Sequence, residues 1–205
     1  MNDGFLKERQ KFKAAIMQRF GMSDSMYTET TELLAPIATA ARFRKGQYLQ
    51  RTGVPARYLF WLTSGVARIG FASPSGEDVT LRFSQEGNSA TSHDLLSPPG
   101  TAATFFIIAE TPIECYRFEW NTLLGVRAQH EVAEKYHSMM ILQYAKEREI
   151  SYSANMTASA RDRVAAFRRD YPGLEARISQ KAIASYLRIT PQYLSQLLQQ
   201  EKSES

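Results

Sequence analysis

Hydrophobic and polar residues alternate in short runs through the middle of the chain and follow longer, helical periods on either side of it. Between residues 46 and 100 lie seven of the eleven glycines and four of the eight prolines, so turn-forming residues recur throughout this part. Short apolar or aromatic runs separate the turns, and residues 79–83 alternate with period two. We therefore predict an all-β domain over residues 38–118. Its strands are predicted in the runs 58–62, 66–71, 79–83, 104–109 and 113–118.

The first 37 residues follow a helical period, with Phe5, Phe12, Ile16 and Phe20 at helical spacings and lysines and arginines between them. A basic helical face of this kind can contact DNA or a membrane, or it can be the solvated outside of a helix packed on another domain. The second interpretation is favoured. Residues 1–37 are therefore predicted to be a helical segment that covers the β-domain.

Glycine and proline are scarce from residue 119 to residue 198, which indicates helices. We predict linker and dimerisation helices over residues 119–152, the second beginning near His130 and about 30 Å long. A helix of that length cannot bury an apolar stripe against its own compact domain along its full length, so a second copy is expected to cover it. The alternative is a core helix packed inside one subunit. The predicted dimer seam consists of Val132, Tyr136, Met139, Met140 and Gln143.

Residues 178–200 have the pattern of a helix-turn-helix, and an ordinary helical hairpin is the alternative. Two short helices that cross near a right angle need a small residue at their contact, and Ala184 is placed to provide it. Ser179 and Thr190 are good N-caps, and Pro191 suits the first position of the second helix. We predict a helix-turn-helix DNA-binding domain over residues 153–205. Its small core is predicted to contain Ile183, Leu187, Ile189, Leu194 and Leu197.

The turn of this motif usually holds glycine, because the residue adopts a positive φ, but here the position is Arg188. A non-glycine residue in that conformation costs about 1 kcal/mol. We therefore expect an exposed, mildly strained arginine, and a guanidinium at this position can also be aimed at a DNA phosphate.

Composition narrows the classes of function. The 205 residues carry a net charge of +4, which permits a polyanionic partner without requiring one. The single cysteine, Cys115, excludes an internal disulfide and argues against cysteine-ligated zinc or iron–sulfur centres. The longest apolar runs stop at five residues, so we expect no membrane partner and a cytoplasmic location.

An enzyme would need convergent catalytic or metal-binding groups, and the sequence does not supply them. The histidines are His93, His130 and His137, and the last two lie two helical turns apart, about 10 Å. No phosphate-binding loop, dinucleotide fingerprint or nucleophile elbow occurs. We predict no catalytic residues, no metal site and no enzymatic activity.

The order of β-roll, long helix and helix-turn-helix resembles the Crp/Fnr family of bacterial transcription regulators over nearly the whole chain. The local matches are at 45–46, 62–69, Gly76, 86–87 and 183–187. The fold that this resemblance implies is α+β: N-terminal helices, a double-stranded β-helix (jelly roll) sensor domain, a long dimerisation helix and a C-terminal all-α helix-turn-helix domain. It further implies a homodimer that binds double-stranded DNA with the second helix in the major groove, and RNA polymerase as a further partner.

Members of this family that bind cyclic AMP carry a cassette with a glutamate for the ribose and an arginine for the phosphate. Here Ser92 stands near the glutamate position and Ala103 near the arginine position, and no lysine or arginine occurs between Phe83 and Tyr116. A buried phosphate needs a paired charge or several strong donors. We therefore expect no cyclic-nucleotide cofactor, and a pocket that takes another small molecule or nothing. The predicted effector pocket consists of Ser89, Thr91, Ser92, Ala103 and Thr104.

The recognition helix also departs from the family, whose guanine-reading members present arginine and glutamate at its start. This sequence offers Gln192, Tyr193 and Gln196, and glutamine can pair with adenine through two hydrogen bonds. Only five residues follow Gln200, so we expect a short type without the β-hairpin wing. The predicted DNA-binding residues are Ser179, Gln180, Lys181, Arg188, Thr190, Gln192, Tyr193, Ser195 and Gln196.

The predicted function is therefore a DNA-binding transcriptional regulator of the Crp/Fnr type that acts as a dimer. The alternative is a sensor or interaction protein with the same fold that has lost sequence-specific DNA binding.

Overall fold

The computed structural model describes residues 2–203, apart from the side chains at positions 151, 154, 155 and 202. The first helices are α1 (Asp3–Lys11), α2 (Lys13–Phe20) and α3 (Asp24–Leu34). The strands that follow are β1 (Thr39–Phe43), β2 (Tyr48–Gln50), β3 (Tyr58–Ser64), β4 (Ala67–Ala72), β5 (Asp78–Ser84), β6 (Ser89–Ala90), β7 (Phe106–Ala109) and β8 (Ile113–Glu119). The later helices are α4 (Trp120–Gln129), α5 (Glu131–Thr157), α6 (Ala160–Asp170), α7 (Gln180–Leu187) and α8 (Pro191–Ser203).

The strands form two antiparallel sheets, with the orders β1-β8-β3-β6 and β2-β7-β4-β5. Successive side chains of a strand point to opposite faces, and β3 shows the consequence. Phe60 and Leu62 lie in the core between the two sheets, whereas Leu59 and Trp61 lie in a second core on the outer face of their sheet. The predicted fold class, with a β-roll followed by a C-terminal helical domain, is confirmed.

The N-terminal helices cover that outer face. The Phe5 ring packs edge-on against Trp61, Tyr116 and Phe118, with centroid distances of 5.8, 5.2 and 5.7 Å. Phe12 packs against Trp61 in the same way at 5.7 Å. The apolar positions of these helices thus face the sheet, as the favoured interpretation of the sequence predicted.

The structure corrects the predicted dimer seam. The helix α5 has 27 residues and ends at Thr157, beyond the domain boundary predicted at residue 152. Met140 is buried, and Tyr136 and Met139 pack on the same core cluster as the N-terminal helices. Val132 and Gln143 are half-buried. Most of the predicted seam therefore faces its own chain, because the N-terminal helices supply an apolar surface that the sequence argument did not count.

The C-terminal helices α6, α7 and α8 surround a core of their own. Two residues of the β-roll, Val66 and Phe83, belong to this same cluster. The C-terminal domain is therefore docked on the β-roll, and this contact fixes where the helix-turn-helix stands.

Candidate DNA interface and sensor pocket

The helix-turn-helix is formed as the sequence predicts, by α7 and α8 with a turn between them. Ala184 is completely buried at the contact of the two helices. The Ser179 side chain accepts a hydrogen bond from the Ala182 N–H at 3.2 Å, and the Thr190 hydroxyl accepts one from the Tyr193 N–H at 3.1 Å. Both predicted caps are thus in place. The predicted core residues Ile183, Leu187, Leu194 and Leu197 are buried, and Ile189 packs beside them.

Arg188 adopts the left-handed conformation, with φ 55° and ψ 45°. Within residues 2–203 it is the single non-glycine residue with a positive φ. The bend lets the Ile189 N–H reach the Ala184 carbonyl at 3.0 Å, which closes the end of α7. The strain expected from the sequence is therefore present, and the Arg188 side chain is exposed.

The predicted DNA-contacting side chains of α8 lie on its outer side. Gln192, Tyr193 and Gln196 are exposed and Ser195 is half-buried, whereas Leu194 and Leu197 point into the core. Gln180 and Lys181 are exposed at the start of α7. The remaining predicted contacts, Ser179 and Thr190, are exposed residues whose side chains cap the two helices.

Part of the positive charge near this motif is neutralised within the chain. Arg168 pairs with Glu175 and Glu201, each at 2.8 Å, and hydrogen bonds to these two carboxylates raise the pKa of its guanidinium. Lys181 and Arg188 form no ion pair with any described residue. These two cations are therefore the ones best placed to attract phosphates from α7 and the turn.

The docking contact between the C-terminal domain and the β-roll is a feature that sequence reasoning missed. Phe83 of β5 packs against the rings of Phe167, Tyr171 and Tyr186, with centroid distances of 6.1, 5.7 and 5.7 Å. These rings come from positions separated by up to about a hundred residues, and no local pattern marks them as partners. Their cluster ties the orientation of α7 to strand β5.

Hydrogen bonds reinforce this contact, because β5 is the edge strand of its sheet and has unpaired backbone groups. The Ser185 hydroxyl of α7 accepts a hydrogen bond from the Thr80 N–H at 2.9 Å and donates one to the Asp78 carbonyl at 3.1 Å. One side chain of the helix-turn-helix thus occupies the free edge of the sensor domain.

Two residues of the predicted effector pocket, Ser92 and Thr104, donate hydrogen bonds to the carboxylate of Asp94. Its Oδ2 accepts hydrogen bonds from Ser92 Oγ at 2.9 Å, Gln50 Nε2 at 3.2 Å and the Phe105 N–H at 3.0 Å. Its Oδ1 accepts one from the Thr104 N–H at 3.0 Å. The Ser92 hydroxyl and the Thr104 and Phe105 N–H groups thus already have a carboxylate acceptor within the chain.

The other predicted pocket residues do not gather around Asp94. Ala103 is buried. Ser89 lies beside Trp61 in the strand pairing and lines a cavity on the outer face of the sheet. The Thr91 carbonyl accepts a hydrogen bond from the guanidinium of Arg82, whose pKa is lowered by burial. Arg82 was missed because the sequence argument began its search for cations after Phe83.

Several apolar side chains of α5 other than the predicted seam residues are exposed. Leu142, Tyr152 and Met156 are 72%, 58% and 69% exposed. These three residues belong to a row of exposed positions separated alternately by four and three residues, which is the spacing of a coiled-coil seam. This exposed stripe comprises Ser138, Leu142, Ala145, Glu149, Tyr152 and Met156.

The described part of the chain contains neither a membrane-spanning helix nor a cluster of metal ligands. No helix within it is long and apolar enough to cross a membrane. Nor do its histidine, cysteine and carboxylate side chains form any group of three or more placed to hold a metal ion.

Comparison with known proteins agrees with this architecture. Residues 40–130 match the family described as the cyclic nucleotide-binding domain. The anaerobic regulatory protein of Bacillus subtilis is 38% identical over 64 residues, which are 31% of this chain and 27% of that protein. The match therefore spans only about a quarter of that relative's length.

Solved structures extend the similarity to most of the chain. FixK2 of Bradyrhizobium japonicum superposes with a TM-score of 0.70 at 19% identity, covering 82% of this chain and 86% of the other. The c-di-GMP responsive global regulator CLP of Xanthomonas campestris gives 0.68 at 15% identity, with coverage of 86% and 92%. A Crp/Fnr-family protein of Eubacterium rectale gives 0.67 at 17% identity, with coverage of 86% and 84%. Residues 40–130 thus match the model of a cyclic nucleotide-binding domain, and 82–86% of the chain shares the fold of these solved structures.

Proposed function

We propose that this protein is a transcriptional regulator that binds double-stranded DNA as a homodimer and places α8 in the major groove. The observation that carries the proposal is the division of α8 into two sides. Leu194 and Leu197 fix one side in the core, while Gln192 and Gln196 are exposed on the other. A helix anchored in this way presents a rigid polar surface to base edges.

Contacts to the DNA backbone come from α7 and the turn in this proposal. Backbone N–H groups at the start of a helix attract phosphates, and the exposed Gln180 and Lys181 lie at that end of α7. Arg188 adds a cation with no carboxylate partner among the described residues. These groups position the protein on the duplex, whereas the glutamines of α8 read the bases.

The glutamines imply a preference for adenine. The side-chain amide of glutamine can donate a hydrogen bond to N7 of adenine and accept one from its N6 amino group. Each such pair of hydrogen bonds favours adenine over the other bases by about 1–3 kcal/mol. Since residues 191–200 include neither arginine nor lysine, guanine is not expected at the positions that Gln192 and Gln196 contact. Tyr193 is placed for apolar contact with a thymine methyl group.

Dimerisation is assigned to the exposed stripe of α5. Leu142 and Tyr152 are far more exposed than an apolar side chain of a helix core, and their heptad spacing suits a parallel pair of helices. Such a pair relates two copies of α8 by a two-fold axis, so the DNA site should be two-fold symmetric. Half-sites are expected about 34 Å apart.

The sensor domain is proposed not to bind a cyclic nucleotide. The Asp94 carboxylate accepts hydrogen bonds from both the Ser92 hydroxyl and the Thr104 N–H, so a phosphate at this place would meet a negative charge rather than free donors. We propose no catalytic role for any of these residues.

Selection of bound sequences from random DNA duplexes tests the function. The proposal predicts enrichment of a two-fold symmetric, adenine-containing site, with binding that weakens steeply as salt increases. Salt-dependent binding without any enriched sequence would instead support a sensor or interaction protein that has lost specific recognition.

A thermal-melting titration with cyclic AMP tests the sensor assignment separately. A ligand at a hundred times its dissociation constant stabilises a fold by about 2.7 kcal/mol. No shift is expected with cyclic AMP, and a clear saturable shift would refute the role given to Asp94. The Asp94→Ala variant is the matched comparison, because it frees the Thr104 and Phe105 N–H groups.

A further inference from the structure

A cavity of about 40 Å³ lies on the outer face of the sheet that contains β3 and β8, under the N-terminal helices. We call it the outer cavity. Phe5, Leu59 and Phe118 form part of its apolar wall, while α5 closes it with His137 and Met140. Leu59 belongs to the core on the outer side of the sheet and not to the core between the sheets. Ser89 of the predicted effector pocket lines the outer cavity, but the residues that hydrogen-bond to Asp94 do not.

A buried guanidinium lines this cavity without a carboxylate partner. Arg9 is 2% exposed, and it forms no ion pair with any described residue. Its Nε donates a long hydrogen bond of 3.4 Å to the Thr31 hydroxyl, and its Nη2 has no hydrogen-bond partner. The guanidinium lies 4.8 Å from the Tyr27 ring and 5.2 Å from the Trp61 ring. Aromatic faces compensate such a charge only in part, so the site retains an uncompensated positive charge.

Two more cavity residues have buried polar atoms without partners, namely Thr30 Oγ1 and His137 Nδ1. The Arg127 Nη1 lies 3.4 Å from His137 Nε2, and a guanidinium can only donate, so Nε2 accepts and Nδ1 carries the proton. Burial, assisted by Arg127, lowers the pKa of His137 from 6.5 to about 4, so the ring is neutral near pH 7. Thr30 Oγ1, His137 Nδ1 and Arg9 Nη2 are thus three unused donors on one cavity.

We propose that the outer cavity binds a compact anion of three or four heavy atoms, of the size of formate or nitrate, held by Arg9, Thr30 and His137. The class of ligand follows from these groups, since a positive charge and two neutral donors match an oxyanion, whereas the charge of Arg9 repels a cation. The size follows from the volume, because about 40 Å³ accommodates roughly three water-sized groups. This assignment is independent of the proposed DNA binding.

The anion would connect elements that are distant in sequence. Arg9 lies on α1, Thr30 on α3 and His137 on α5, the helix that also carries the exposed stripe. Binding therefore ties the N-terminal helices to α5, and amide hydrogen exchange in all three helices is expected to slow when the anion is present.

Thermal melting of the full chain in sodium formate and in sodium nitrate tests the proposal, with sodium gluconate keeping the ionic strength constant. We expect a saturable rise of the melting temperature with formate and nitrate, following a single binding site. Gluconate is too large for the cavity and should give no such rise. If neither formate nor nitrate gives a saturable rise of the melting temperature, the assignment is overturned. That result is expected if only water occupies the cavity.

Variants link the response to the cavity. Thr30→Val keeps the shape of the side chain but removes a donor, and should weaken formate binding roughly tenfold or more. Arg9→Met should abolish the saturable response. Ser84→Ala is the matched control, because Ser84 also has a buried, unpartnered hydroxyl but does not line the cavity. Equal responses in the wild type, Thr30→Val and Ser84→Ala proteins would refute the site.

A spectroscopic readout covers the case in which Arg9→Met fails to fold. The ring-nitrogen NMR signals of His137 in the wild-type protein should shift as formate is added, because Nδ1–H gains an acceptor. In Thr30→Val the same shift should require a higher formate concentration. A His137 signal that does not respond to formate would contradict the proposed contact.

Discussion

Arg177 and Glu86 form an ion pair with two hydrogen bonds that joins the helix-turn-helix domain to the β-roll. The Arg177 Nη2 lies 2.5 Å from Glu86 Oε1, and Nη1 lies 3.1 Å from Oε2. Glu86 also accepts a hydrogen bond from the Gly65 N–H at 2.7 Å. Partial burial works to raise the pKa of Glu86, but the hydrogen bonds from Arg177 and Gly65 outweigh it and lower the pKa below 4.5. This pair and Phe83 together hold the C-terminal domain against the roll.

The first prediction concerns Glu86→Gln. Because the pKa of Glu86 is lower in the folded protein, its ionisation stabilises the fold above the unfolded-state pKa of 4.5, and this contribution is lost as the pH falls through the folded-state value. The variant should therefore unfold at lower urea concentration than the wild type near neutral pH, and the difference should shrink in acid. Amide exchange in α7 should also be faster in the variant at neutral pH.

Glu114→Gln is the control for this measurement. Its partner is Arg42, and the two side chains are 57% and 83% exposed, so their ion pair should contribute little to stability. A loss of stability in Glu114→Gln as large as that in Glu86→Gln would show that the effect comes from net charge rather than from domain docking.

The second prediction concerns the left-handed turn. Arg188→Gly should raise the free energy of unfolding by about 1 kcal/mol, because glycine adopts this conformation without strain. Arg188→Ala removes the same charge but keeps the strain, and should not gain stability. Urea unfolding distinguishes the two variants. DNA affinity should fall by the same factor in both if the guanidinium contacts a phosphate, and an unchanged affinity would remove Arg188 from the interface.

The third prediction concerns the exposed stripe of α5. Leu142→Glu should produce a monomer, because it brings two charges together at an apolar dimer contact, and light scattering coupled to size-exclusion chromatography measures the mass. Glu149→Leu should tighten the dimer, since it replaces a polar residue of the same stripe.

Leu96→Glu makes the same chemical change at a side chain that is 59% exposed and lies outside α5. It should remain dimeric. If Leu142→Glu is also dimeric, the stripe is not the contact between subunits.

The fourth prediction separates base reading from phosphate contact. Gln192→Ala and Gln196→Ala should each lower affinity for the selected site by about 1–3 kcal/mol and leave non-specific binding nearly unchanged. Lys181→Ala should weaken binding to all sequences and reduce the salt slope by about 1. Gln199→Ala is the matched control, because Gln199 is exposed on α8 outside the predicted contact set. Gln199 lies on the same helical face as Gln192 but two turns farther along α8, so an equal loss of specificity in Gln199→Ala would contradict base reading by the first turns of the helix.

The sequence alone determined the local structure of the helix-turn-helix. The buried Ala184, the caps Ser179 and Thr190 and the left-handed Arg188 are properties of adjacent residues, and all of them are present in the structure. Short-range hydrogen bonds and helical spacing fix such features before any distant contact forms. Strands β3, β4, β5, β7 and β8 were predictable from local apolar runs between turns, whereas β1, β2 and β6 were not predicted.

Only the tertiary structure decided which surfaces are free. Met140 belongs to the same helix as Leu142, yet it is buried in the core cluster of the N-terminal helices while Leu142 remains exposed. The sequence did not indicate that Asp94 accepts hydrogen bonds from donors of the predicted sensor pocket. It also did not indicate that Arg9 is buried without a carboxylate partner. These outcomes depend on which distant segments meet, because burial and charge compensation are set by partners from across the fold. A periodic pattern records that a residue is apolar or charged, but not what covers it.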